Sequence, residues 1–146
     1  MQVADPTPIP RPFERLLAVT GAVICLIITS MLWWSISSYQ PMWPLPGLYF
    51  VEMAILGMIG ASMFMRGGRG GRFVTWGATG ALLGFVILGA LSVGFFYLPV
   101  VLIFTSLSVT YDVRNKQPIP AHLAVAVIAG MAQVALMVAL SQSGGL

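Results

Sequence analysis

The chain has 146 residues, of which 58% are hydrophobic and 8% charged, and its mean hydropathy is +0.94. Soluble domains carry about 25% charged residues, so a water-soluble globule is not expected, and lipid is the solvent that does not penalise this composition. Seven basic against four acidic residues give a net charge of +3, but cations scattered on an apolar chain report orientation in a bilayer rather than affinity for nucleic acid, and no nucleic-acid role is expected.

The prolines between Asp5 and Pro12 fix φ and remove backbone donors, which predicts an extended, proline-rich arm over residues 1–12. An apolar run then predicts a first membrane helix over 13–38, with Trp33 and Trp34 at headgroup level. It is too long for the apolar core of a cleavable leader, about 7–15 residues, and is read as a retained span. The loop 39–47 carries Pro41, Pro44 and Pro46 and no charge, and a second span is expected over 48–65. Arg66, Arg69 and Arg72, spaced by glycine pairs, predict a flexible cationic turn attracted to anionic lipid headgroups.

From Phe73 to Tyr111 no residue is charged, and one helix of that length would reach about 58 Å, twice a hydrocarbon core. Gly94 suits a helix end and Pro99 a first turn, so the run is divided into spans 73–93 and 99–113. A polar turn over 112–118 leads into a fifth span, 121–140, and a short polar tail, 141–146. The expectation is an all-α integral membrane protein, a single five-helix bundle over 13–140. The alternative is four spans with one long kinked third helix. Five spans place every basic residue on one side, so the N-terminus is expected in the cytoplasm and the C-terminus opposite, in a bacterial-type plasma membrane.

In this arrangement ten of the eleven charged residues fall in the arm or the two cytoplasmic loops, and Glu52 alone lies within a span, about one turn below the far interface. An intramembrane carboxylate marks a functional site by default. Gln133, mid-helix in the fifth span, needs an interhelical partner and is the second polar candidate. His122, the only histidine, opens the fifth span as a candidate ligand for a metal, haem or chlorin. The single cysteine, Cys25, permits no intramolecular disulfide and reads as a small buried hydrophobe. No metal site or required cofactor is visible, beyond lipid.

Small residues recur at helical spacing: Gly57 and Gly60 in the second span, Gly77, Gly80 and Gly84 in the third, and Ala126 with Gly130 and Ala135 with Ala139 in the fifth. These let helix backbones approach and gain dispersion contacts where lipid supplies no hydrophobic drive. No nucleophile–base set, paired carboxylates or metalloprotease motif is present, so no enzyme is expected. The leading expectation is a small accessory or structural subunit of a larger membrane complex, of the energy-converting or transport kind, whose partners are other membrane subunits and anionic lipids. The alternative is a homo-oligomeric channel or transporter in which copies of Glu52 and Gln133 converge on a symmetry axis.

Overall fold

A computed structural model describes residues 9–39, 41, 45–89 and 92–143. The first eight residues of the expected arm, the last three of the expected tail and the side chain of Arg69 lie outside the described residues. Five helical segments are long and apolar enough to cross a membrane: α1 (Pro12–Ser37), α2 (Leu45–Arg66), α3 (Gly68–Leu88), α4 (Leu98–Arg114) together with the 3-10 turn that precedes it, and α5 (Ile119–Ser143). Every one lies in an apolar run, and the helix satisfies its backbone donors and acceptors internally, as a lipid environment demands. The four-span alternative is set aside, because the long uncharged run is two helices.

The connections follow from a few residues. Pro12 opens α1, and the backbone N–H of Arg11 donates to Glu14 Oε2 at 2.7 Å, so a carboxylate at the third helical position caps the N-terminus and meets the positive end of its dipole. The expected flexible turn at 66–72 is reduced to one residue, Gly67. Gly67 and Gly68 hold φ of 67° and 79°, a region open to glycine, and reverse the chain so tightly that Arg69 to Arg72 are already helical. The break after α3 falls at Gly89, earlier than expected. Gly94 N–H donates to Gly89 O at 2.8 Å, and the two glycines stack so closely that a Cβ on either would lie within 2.7 Å of the other's backbone. A 3-10 turn, Gly94–Tyr97, then leads into α4, with Pro99 in its first turn.

Helix α3 is the hub, packed on α2, α4 and α5, while α1 covers α2 and α4. Of the most apolar stretch of each helix, 61% is buried in α3 and 11% in α5. The core between α1 and α4 is filled by Phe50, Met53, Leu82, Phe85, Tyr97 and Phe104, all nearly inaccessible. Thr29 ties α1 to the far-end turn: its hydroxyl donates to Cys25 O and accepts from Tyr97 Oη, both at 2.8 Å.

Helix α5 lies outside this four-helix core, against α3. Gly80 meets the backbone of Ala126 and Gly84 meets that of Gly130, a register that advances by four on both helices and so makes them parallel. A Cβ at Gly84 would stand 2.7 Å from Gly130 O, and one at Gly80 would overlap Ala126 O. The seam therefore exists only without those side chains.

Candidate functional site

The concentration of buried polar groups is at the end of the bundle where the basic residues gather. Helix α4 terminates in a Schellman motif: Gln117 N–H donates to Asp112 O at 3.0 Å and Lys116 N–H to Val113 O at 3.3 Å, with Lys116 at φ 49°. This fixed turn brings Asp112, in the last turn of α4, against His122, in the first turn of α5. Asp112 Oδ2 shares a hydrogen bond with His122 Nδ1 at 2.6 Å and accepts one from Trp76 Nε1 of α3 at 2.8 Å, so one carboxylate oxygen joins three helices. The imidazole stacks on the Trp76 ring at 6.3 Å between centroids and takes the edge of Phe73 at 4.9 Å. Asp112 is 0% exposed and His122 1%.

Beside this cluster Arg72, Ser108 and Asp112 border one gap too small to admit water. Arg72 Nε and Nη1, Ser108 Oγ and Asp112 Oδ1 find no hydrogen-bond partner among the described residues. The Arg72 guanidinium stands 5.9 Å from the centre of the Tyr111 ring and that of Arg114 5.3 Å from the same ring, each within cation–π range. Arg114 also donates to Glu14 of α1 in an ion pair. Two buried or half-buried cations thus lie beside two carboxylates. Arg11, Arg15, Arg66 and Lys116 are exposed around them.

No known protein family, curated protein or solved structure matches the chain. The site is therefore read from its own geometry. No group of three or more metal-ligating side chains occurs among the described residues, and the Asp112–His122–Trp76 arrangement is that of a clasp: the end of α4 and the start of α5 are held to the middle of α3 by hydrogen bonds in a low-dielectric setting, where such bonds are strong.

The sequence candidates fall into three places. His122 is at the centre of the cluster. Glu52 is far from it, toward the opposite end of α2; it is half-buried and makes no hydrogen bond or ion pair among the described residues. Because α2 starts at Leu45, Glu52 is about 10 Å along the helix rather than one turn. Gln133 is buried between α5 and α3, with its Cβ against Gly84 and its Nε2 without a partner among the described residues. The structure does not bring Glu52 and Gln133 together with His122.

Among the small residues, Gly57 accommodates Cys25, whose Sγ would be 2.9 Å from a Cβ there, and Gly60 faces Ala78 and Phe104. Gly77 has only Val125 near it, at 3.9 Å. Ala135 and Ala139 are exposed on the outer half of α5. Of the arginines expected at headgroups, Arg66 is exposed, whereas Arg72 is 8% exposed and turned into the protein. The reading of Glu52 as the one charge inside a span is corrected: Glu14, Arg15, Arg66, Arg69, Arg72, Asp112 and Arg114 also lie within helices, and of these Glu14, Arg72 and Asp112 are buried. Sequence reasoning placed Arg72 in a loop and Asp112 where the fourth span, 99–113, overlaps the polar turn 112–118, and gave Trp76 no role. The available signal was the pairing of an acid closing one helix with a histidine opening the next.

Proposed function

We propose that the chain is a small accessory subunit of a larger integral membrane complex, of the energy-converting or transport kind, which contributes helix packing rather than catalysis. The N-terminus and the basic end face the cytoplasm, which places the exposed Arg11, Arg15, Arg66 and Lys116 on the side that retains positive charge. The C-terminus lies opposite.

The observation that carries this reading is the division of the small residues. Gly80, Gly84, Ala126 and Gly130 are consumed within the chain, as are Gly57 and Gly60. Ala132, Ala135 and Ala139 of α5 remain exposed, on the helix that is least covered. A small-residue face in lipid gains dispersion contacts when a second helix lies against it. The buried polar groups support the same role, since the clasp joins α4 and α5 to α3 and gives an accessory subunit a rigid frame.

Purification from the native membrane in mild detergent, followed by native mass spectrometry, tests the proposal. Stoichiometric foreign membrane subunits are expected, and their loss on Ala135→Leu with Ala139→Leu, while circular dichroism keeps the helix content. A wild-type monomer with no companion rejects the proposal. A homo-oligomer would transfer support to the self-assembling channel reading.

A further inference from the structure

Three carboxylate side chains lie among the described residues, and two of them are engaged at the basic end, Glu14 by Arg114 and Asp112 by Trp76 and His122. Glu52 is the third. It is half-buried on α2 and makes no hydrogen bond or ion pair among the described residues. The next cation along α2, Arg66, is about 21 Å further on, beyond the reach of a side chain.

The depth of Glu52 follows from the neighbouring helix. Cys25 Sγ of α1 donates to Met53 O at 3.3 Å, which sets the two antiparallel helices in register. Trp33 and Trp34 of α1 therefore stand roughly 10 Å nearer the far end than Glu52 does. Trp34 is 79% exposed, as suits a ring at headgroup level. Glu52 thus lies below the headgroups and their ammonium groups, at a depth where a carboxylate needs a partner.

Its place on the helix is a second, independent observation. Leu48, Glu52, Ile55 and Ile59 recur at alternating steps of four and three residues, the spacing of a helix-packing seam. The three apolar members are between 38% and 49% exposed, so no helix of this chain covers the seam. A single polar residue within such a seam specifies which helix pairs with it and in what register.

The chemistry selects the occupant. A metal ion exchanges its water for several oxygen ligands at once, and no group of three or more acidic, histidine or cysteine side chains occurs among the described residues. An ammonium or guanidinium brings its own donors and is met by one carboxylate. A second copy of this chain offers no cation at this depth, because the basic residues gather at the other end.

We propose that the α2 face bearing Glu52 receives a transmembrane helix of a partner subunit that carries a lysine or arginine at this depth, paired with the Glu52 carboxylate. The inference rests on the accessory-subunit reading and adds to it a second contact and the chemistry of the partner.

The test is native mass spectrometry of the complex purified from the native membrane in mild detergent, with the wild-type chain and with Glu52→Gln, which keeps size and removes charge. The variant complex is expected to dissociate at about thirtyfold higher concentration, the lower end for removing one member of a buried ion pair. Helix content by circular dichroism is expected to be unchanged, since Glu52 has no partner among the described residues. A benzophenone amino acid in place of Ile55, one turn from Glu52 on the same face, is expected to crosslink to a membrane span that contains Lys or Arg. If that probe prevents assembly, Ile59 carries the same expectation. Exchanging the partner's cation for Glu is expected to restore assembly of Glu52→Lys. Companion subunits that stay bound equally to Glu52→Gln overturn this proposal and leave the accessory reading standing. A wild-type chain without companions rejects that reading and this proposal with it. A crosslink to a second copy, to lipid alone or to a span without Lys or Arg overturns this proposal only.

Discussion

The basic end and the α3–α5 seam hold α5 in place by opposite means. At the basic end, side chains reach across: Asp112 of α4 receives Trp76 of α3 and His122 of α5 on one oxygen. Along the seam, side chains are missing: Gly80 and Gly84 admit the backbone of Ala126 and Gly130. The first attachment depends on chemistry and tolerates some change of shape. The second depends on shape and is indifferent to chemistry. Their energetics differ accordingly, since removing one member of a buried charged cluster strands the rest, whereas adding a methyl to a filled seam forces two helices apart.

The largest effect is expected from Asp112→Ala, which leaves Trp76 Nε1 and His122 Nδ1 buried without their partner and removes the carboxylate beside the buried Arg72 guanidinium. About 3 kcal/mol of stability should be lost, read as a fall in thermal midpoint in detergent micelles. Asp112→Asn retains an acceptor and should lose less. Equal loss from both variants would mean that the carboxylate charge contributes nothing beyond its shape.

Gly80→Ala is expected to cost about 2–3 kcal/mol in the same measurement, because a Cβ there overlaps Ala126 O and backbone cannot rotate away. Gly77→Ala, three residues earlier and with only a Val125 methyl at 3.9 Å, should be close to neutral. If the two alanines behaved alike, close backbone approach would not be what fastens α5. Tyr97→Phe, remote from both attachments, removes the bond to Thr29 and should cost about 1 kcal/mol.

The smallest effect has the opposite sign. Lys116 holds the left-handed position of the turn that aligns Asp112 with His122, where glycine carries no steric penalty. Lys116→Gly should therefore stabilise by up to about 1 kcal/mol. A decrease would show that the lysine side chain, not the backbone conformation, maintains the turn.

Much of the fold was legible along the chain. An apolar run of membrane length can satisfy its backbone only as a helix, and Gly94 and Pro99 stop any single helix from running from Phe73 to Tyr111. The number of helices and their approximate bounds follow from those local rules. The candidate site was only half legible. His122 stood out as the lone histidine, but Asp112 and Arg72 looked like loop charges, because a few residues of boundary decide whether a charge is solvated or buried. Trp76 gave no signal, since an indole in an apolar helix needs no explanation until its N–H is seen to have an acceptor.

What the sequence determined by itself was composition-driven: an all-helical chain with five segments suited to lipid and a basic end. The spacing of its glycines also announced close packing without naming the pairs. Only the tertiary structure decided that Gly80 and Gly84 mate with Ala126 and Gly130 while Ala135 and Ala139 stay exposed, and that Arg72 turns inward while Arg66 does not. The reason is that helix formation is governed by residues within one turn of each other, whereas which face meets which depends on the arrangement of all five helices. The charged residues, only 8% of the chain, acquire their separate roles, exposed cation or buried clasp, only at that second level.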